Sequence, residues 1–349
     1  MVAEDILELN DEVLEHKNII VHRELIRDEI VEIFQDPDIL KYILHVTIIG
    51  NDGNPEKGEG RGVTLDMLTN FWQHVFDSLT VGTQEKIPSI RHDYQKNHWQ
   101  AIARVLVYGF SREKYFPIRM SPAFMAPALF GEERVPKDFL LQSFQGYISS
   151  EEKETLLAAL AGDLCLDDED FLDFLSNYKC YRCITEDNIS QTVNELAHQE
   201  ILQKPRYIID CFSKTLGLLK VYSPFQYVSS LKETYDIKKP TSRKVIKLLV
   251  ANPSSELEHA CLDHLKRYIR SLEGSAVNQF LAFVTGSDVI ACSSINISFV
   301  ELVGVSRRPV VHTCGPLVEL PATYQTYNEL AEEFNCVIKE TLAWGFSIV

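Results

Sequence analysis

The chain has 349 residues, of which 34 are Lys or Arg and 50 are Asp or Glu, so its formal net charge is −16. Binding to nucleic acid or anionic lipid depends mainly on Lys and Arg that displace counterions, so this charge argues against both kinds of partner. The sequence has no apolar run of about eighteen residues and an acidic beginning unlike a leader peptide, which predicts a protein of the cytoplasm, with the nucleus as a second compartment.

In the first third of the chain, the pattern of apolar and turn residues predicts a helix, a strand and a second helix in that order. Apolar residues at helical spacing predict a helix over 4–34, inside a segment 1–40 interpreted as an N-terminal helical extension. An extended run over 42–49 predicts a strand, and a glycine-rich turn over 50–62 follows it. Apolar residues on one helical face then predict a helix over 63–79.

The composition divides the rest of the chain into two parts. Residues 41–250 are mostly helical in pattern with some strand, and they contain a small acidic subdomain over 162–190. The segment 251–255, Ala-Asn-Pro-Ser-Ser, is typical of a linker. Beyond it, residues 256–349 predict a compact α+β domain. Its predicted elements are helices over 257–272, 276–284 and 324–342 and strands over 295–303, 309–314 and 317–320.

The glycine cluster before the second helix is a candidate phosphate-binding loop, because glycines at a helix N-terminus can bind anions. No Gly-Lys-Ser or Gly-Lys-Thr follows, and the Gly58-x-Gly60-x-Gly62 spacing is not that of a dinucleotide-binding loop. Glu56 and Glu59 would also repel phosphate. We therefore expect the glycines to serve turn geometry.

Three places in the sequence contain residue types that can bind metals. Cys180-x-x-Cys183, with Cys165 before it and His198 after it, lacks the second ligand pair of a closed zinc site. The acidic run 167–170 lacks the glycine and glutamate of a calcium loop and instead predicts a helix N-terminus. The third place is a helical trio without a fourth-ligand pattern, made of His259, Cys261 and His264. We expect neither a metal nor a cofactor.

Cys314 is the strongest candidate for chemistry. If residues 309–314 are extended, His312 and Cys314 lie on the same face of the strand, and Gly315-Pro316 then forces a turn. A thiol beside such a turn is expected to be partly exposed. A cysteine thiol ordinarily has a pKa of about 8.5, and its small thiolate fraction at neutral pH suffices to attack a thioester. On spacing alone, a buried structural cysteine stays an alternative.

The C-terminal third contains a series of motifs, namely Phe280–Ser287, Arg308–Cys314, Leu320-Pro321, Tyr324, Tyr327–Leu330 and Trp344–Phe346. In this order, the series resembles the C-lobe of HECT-type ubiquitin ligases. Upstream, the strand 42–49, the turn before Val63, the Phe71-Trp72 helix and Ile102–Leu106 are similar to the start of the HECT N-lobe. The resemblance covers residues 40–349 and implies a bilobal α+β fold, with an N-lobe over 41–250, a hinge over 251–255 and a C-lobe over 256–349.

The resemblance implies a role for individual residues. Cys314 would accept ubiquitin as a thioester, supported by His312, Thr313 and Phe346. The implied hinge comprises Asn252, Pro253, Ser254 and Ser255. The subdomain 162–190 would dock the conjugating enzyme through apolar residues that can equally be core, namely Phe171, Leu172, Phe174, Leu175 and Tyr178.

The implied partners are a ubiquitin-charged conjugating enzyme, ubiquitin and a protein substrate with an acceptor lysine, without nucleic acid or membrane. Two features differ from the family pattern: Gly315-Pro316 replaces the usual Phe-Asn after the cysteine, and the docking subdomain is short. These differences leave open a ubiquitin- or partner-binding scaffold with little or no ligase activity. A separate alternative is an unrelated cysteine hydrolase that uses Cys314 with a distant His and an Asp or Asn.

Overall fold

In the computed structural model the described residues are 15–58, 60–302 and 307–344, and their helices and small sheets form an α+β fold. The helices are α1 (Ile26–Ile33), α2 (Arg61–Ser78), α3 (Lys96–Glu113), α4 (Pro122–Phe130), α5 (Lys137–Tyr147), α6 (Ser150–Ala161), α7 (Glu169–Asn177), α8 (Ile189–His198), α9 (Arg206–Leu216), α10 (Val228–Lys238), α11 (Ser242–Leu248), α12 (Glu256–Ser271), α13 (Ser275–Thr285) and α14 (Tyr327–Trp344). The strands are β1 (Glu15–His22), β2 (Tyr42–Ile49), β3 (Thr80–Val81), β4 (Ile87–Pro88), β5 (Leu249–Ala251), β6 (Ile295–Val300), β7 (Val310–His312) and β8 (Leu317–Pro321). Within these described ranges, no helix combines the length and apolarity needed to cross a bilayer.

The chain forms two compact units, and each is assembled from segments that are separate in sequence. The first unit takes its described residues from Met1–Gln73, Arg104–Pro117 and Asp236–Val349. The second unit comprises His74–Ala103 and Ile118–Tyr235.

The predicted helix over 4–34 is wrong for the first part of its described residues. Residues 4–14 lie outside the described residues, and the chain then forms β1 before the short helix α1 begins. β1 pairs in parallel with β2, with Ile19 opposite Val46. Ile19 and Val21 are buried, whereas Ile20 between them is exposed, which is the alternation of a half-buried strand. The apolar residues whose spacing predicts the helix, Leu25 to Phe34, lie in α1 and at its two ends, so the prediction is wrong only where it extends back over β1. The strand predicted over 42–49 is confirmed as β2.

The C-terminal part of the first unit is a four-stranded mixed sheet in the order β5-β6-β8-β7. β6 pairs in parallel with both β5 and β8, and β7 pairs antiparallel with β8. Apolar residues of α12, α13 and α14 form one core with the sheet, including Leu265, Phe280 and Phe334. The predicted helices and strands of this region are confirmed, with ends shifted by a few residues, and residue 303 of the predicted strand 295–303 lies outside the described residues. The sequence pattern does not predict the strand β5.

The second unit is built from helices around α4. The sequence of α4 is apolar throughout, and all of its side chains after Pro122 are buried, so it forms the centre of this unit. It packs against α9, while α5 packs against α8 and α6 against α7. α6 begins with a capping box between Ser149 and Glu152 and ends at Gly162, whose φ of 77° suits a residue without a Cβ atom.

A buried cluster of charges connects three segments of the first unit. Arg23, which follows β1, donates from Nε and Nη2 to the carboxylate of Glu56 at 2.6 Å in both cases. Nη2 also donates to Oδ2 of Asp66 on α2 at 2.7 Å, and Asn70 donates to the same carboxylate. Burial opposes the charge on Arg23, but its hydrogen bonds to the two carboxylates more than offset this and raise the pKa of the guanidinium.

Replacing Arg23 tests how much this cluster stabilises the fold. Arg23→Met keeps the apolar stem and leaves two largely buried carboxylates without their cation, so we expect the free energy of unfolding to fall by about 3–5 kcal/mol. The measurement is equilibrium denaturation in urea. The matched control is Lys41→Met, which removes the exposed 2.6 Å pair with Asp38 and should leave the unfolding midpoint unchanged. Equal midpoint shifts in the two variants would contradict the prediction.

Candidate active site

Cys314 lies in the turn that joins β7 to β8. The strand predicted over 309–314 ends earlier, at His312, and residues 313–316 form the turn, so His312 and Cys314 do not share a strand face. Gly315 and Pro316 provide the turn geometry, as the sequence predicts. Val311 and Val318 face each other across the hairpin and are buried, which anchors it to the core. The Cys314 thiol is exposed.

His312 is held by the neighbouring strand. Its Nε2 lies 3.1 Å from Oε1 of Glu319 on β8, and both side chains are at least partly exposed. This cross-strand pair fixes the imidazole at the base of the turn. His312 therefore contributes to the conformation of the hairpin that carries Cys314. The role in catalysis that the resemblance implies for His312 stays a prediction.

Thr313 packs directly on the start of α2. A Cβ atom placed on Gly62 would lie 2.8 Å from the carbonyl carbon of Thr313 and closer still to its Oγ1, so there is room only for glycine. A Cβ atom on Gly60, where φ is 76°, would lie 3.6 Å from Sγ of Cys314. The turn that carries the thiol therefore contacts the glycine-rich turn, for which the sequence predicts only a role in turn geometry.

A third glycine completes this contact. Gly286 ends α13 in the left-handed conformation with φ of 78°, and a Cβ atom there would lie 2.5 Å from the carbonyl oxygen of Gly62. The hydroxyl of Thr69 on α2 donates to the Gly286 carbonyl at 3.0 Å. We refer to Gly60, Gly62 and Gly286 as the glycine junction. Sequence reasoning missed it, although two glycines flanking one residue at a helix start are a signal of close backbone approach.

Arg61 stabilises the glycine junction from within. Its Nε donates to Glu113 at 2.9 Å, and its Nη2 donates to the backbone carbonyls of Glu113 and Ala291 at 2.8 and 3.1 Å. Lys238 lies in the same region and donates to the Ile290 carbonyl at 3.0 Å. Burial, and then the nearby positive charges, lower the pKa of Lys238 to about 8. The guanidinium of Arg61 thus links α2, α3 and the segment after α13.

The residues predicted to dock a conjugating enzyme divide between core and surface. The side chains of Phe171, Phe174 and Leu175 on α7 are buried, so they pack the interior of the second unit and expose no docking surface. Leu172 is 49% exposed, and Tyr178 is half-buried with its hydroxyl donating to Glu152. Of the five predicted docking residues, only Leu172 and Tyr178 therefore reach the surface.

Some of the other predicted residues lie at the starts of helices, and one lies outside the described ranges. Asp168 caps α7 by accepting from the backbone of Asp170, which confirms that the acidic run is a helix N-terminus. The predicted hinge residues Asn252 and Pro253 precede Ser254 and Ser255, whose side chains bond to Glu258 at the start of α12. Phe346 lies outside the described residues. The part of the chain that the structure describes holds no group of three or more side chains arranged to bind a metal.

Comparisons with models of known protein families and with curated protein sequences give no match for this chain. The interpretation of the site therefore rests on the geometry around Cys314 and on the residues that carry the resemblance.

The surroundings of the cysteines predict different reactivities for two of them. Cys261 is buried, its Sγ donates to the Pro321 carbonyl, and burial raises its pKa to about 12. At pH 8 only about one Cys261 thiol in ten thousand is ionised. We expect iodoacetamide to label the exposed Cys314 at least about 100-fold faster than Cys261, as measured by peptide mass spectrometry over time. The two sites should react at similar rates in denaturant, and similar rates in the folded protein would contradict the burial of Cys261.

Proposed function

We propose that the chain is the catalytic module of a HECT-type ubiquitin ligase, with Cys314 as the residue that carries ubiquitin. The observation that supports this most directly is the exposed thiol of Cys314 in a hairpin turn, within the Arg308–Cys314 motif that resembles the family. An exposed thiol on a turn can be reached by a large protein thioester, whereas a thiol inside a core cannot.

The proposed reaction is a two-step acyl transfer. The Cys314 thiolate attacks the carbonyl carbon of the thioester between the ubiquitin C-terminus and the conjugating enzyme. The new carbon–sulfur bond forms as the old one breaks, and the departing thiolate takes up a proton. An unprotonated lysine amine of the substrate then attacks the Cys314 thioester, which forms an amide, releases the Cys314 thiol and consumes no oxidant or cofactor.

The first step exchanges one thioester for another, so it is nearly balanced in free energy. The contribution of the protein is therefore to hold the two thioester partners at high effective concentration and in the correct orientation. In the proposed bilobal arrangement, the N-lobe over 41–250 docks the conjugating enzyme through Leu172 and Tyr178. The hinge over 251–255 joins it to the C-lobe over 256–349. The proposed compartment is the cytoplasm, with the nucleus as a second one.

A second candidate is a ubiquitin- or partner-binding scaffold with the same fold. The observation that favours it is the burial of Phe171, Phe174 and Leu175, which leaves two of the five predicted docking residues at the surface. The replacement of the usual Phe-Asn by Gly315-Pro316 also favours the scaffold. A scaffold of this kind would bind ubiquitin without forming a thioester.

The test is thioester formation with activating enzyme, ubiquitin and a panel of conjugating enzymes, read on non-reducing gels. We expect a ubiquitin adduct that thiol reductants release, that Cys314→Ala abolishes and that Cys165→Ala, which removes another exposed thiol, retains. Cys314→Ser should trap ubiquitin as an ester that resists thiol reductants, because an ester exchanges with thiols far more slowly.

A folded protein that forms no adduct with any enzyme of the panel would contradict the ligase proposal and favour the scaffold. Release of free ubiquitin from ubiquitin conjugates without any conjugating enzyme, if lost in Cys314→Ala, would favour a hydrolase instead.

A further inference from the structure

The turn that carries Cys314 approaches the backbone of the glycine junction closely. Gly62 has no space for even a methyl group beside Thr313, and Gly286 has none beside the carbonyl of Gly62. Such contacts require atoms of three segments to keep their mutual positions, because interiors are close-packed and a shift of one segment displaces the next. Thr313, the residue before the thiol, therefore packs directly against the backbone of Gly62.

The elements beneath this contact are themselves fixed. Arg61 bonds to Glu113 and to the Ala291 carbonyl, and Thr69 bonds to the Gly286 carbonyl. The hydroxyl of Tyr115 donates to Asp288 at 3.0 Å. These bonds join α2, the end of α3 and the segment after α13 into one support. A reactive group placed on such a support keeps its geometry better than one on an isolated loop.

The contact leaves the thiol accessible. Cys314 is exposed while Thr313 is packed on Gly62, so the glycine junction does not bury Cys314. An inhibitory contact would instead bury the nucleophile. The geometry therefore favours orientation over inhibition as the role of this contact.

We propose that Gly62 is a positioning residue, which holds Thr313 so that the Cys314 thiol points towards an incoming thioester. This proposal rests on the proposed acyl transfer at Cys314, and it adds the part of the chain that orients the nucleophile. A misplacement of a reacting atom by about 1 Å can lower a rate about 100-fold, so a methyl group on Gly62 should matter although it touches no substrate.

The contact itself can be tested without any ubiquitin chemistry. A Cβ atom at position 60 would lie 4.0 Å from Cβ of Cys314, which is within the range of disulfides. With oxidised glutathione as oxidant, Gly60→Cys should cross-link to Cys314, as identified by peptide mapping. The matched control is Gly53→Cys, which has nearly the same φ of 77° but no atom within 4 Å of its Cβ position, and it should give no cross-link to Cys314. Equal yields from both variants, or none from Gly60→Cys, would overturn the contact.

The positioning role is tested by the single-turnover rate of ubiquitin transfer to Cys314. Gly62→Ala should lower the rate at saturating charged conjugating enzyme at least about tenfold and leave the half-saturating concentration unchanged. Thr313→Ala, which loosens the contact without steric overlap, should lower the rate less and also reduce the cross-link to position 60. The matched control is Gly217→Ala, which has open space around its Cβ position and should match the wild type.

The outcomes separate this inference from the proposed function. If the wild type forms the adduct and folded Gly62→Ala and Thr313→Ala load within twofold of it, the positioning role is wrong and the ligase proposal stands. If Gly62→Ala does not fold, the single-turnover rate of Thr313→Ala alone tests the positioning role. If the wild type forms no adduct, the proposed function fails and the positioning role fails with it, even where the cross-link forms.

Discussion

The buried ion pairs of Arg23 fix the part of the structure on which the candidate site depends. Glu56 lies shortly before Gly60, and Asp66 lies one helical turn after Gly62, so one guanidinium holds both ends of the glycine-rich turn. A buried carboxylate without its cation is costly, and this makes any opening of the turn unfavourable. The contact of Thr313 with Gly62, and the orientation of Cys314 that we propose to depend on it, therefore rest on a turn whose two ends this charge cluster holds.

The elements that could be predicted from sequence are those whose pattern is local. The helix α12 has strong helical periodicity and the strand β2 an apolar run between turn signals, so both were predicted close to their observed positions. β1 was predicted as a helix because its partner β2 begins many residues later, and only the parallel pairing shows that Ile19 and Val21 form a strand. The short strand β5 was missed because three residues carry no measurable periodicity.

In the candidate site too, the features that depend on local sequence could be predicted, and those that depend on distant contacts could not. The turn at Gly315-Pro316 is a local signal, so the sequence predicted an accessible thiol at its start. The contact between Gly62 and Thr313 joins residues about 250 positions apart, and no spacing within either segment reveals it. Burial of Phe171, Phe174 and Leu175 was equally undecided, because an amphipathic helix has the same pattern whether its apolar face meets a core or a partner.

The discontinuous first unit has a consequence for how the protein is made. Its segments include residues near both ends of the described chain, whereas the second unit is complete once Tyr235 has been synthesised. On the ribosome, the second unit can therefore fold while β1 and β2 still lack the sheet and helices that complete their unit. Until α13 and the β7–β8 hairpin emerge, Gly62 lacks its contacts with Gly286 and Thr313, so the first unit completes its folding only after the second unit has had time to form.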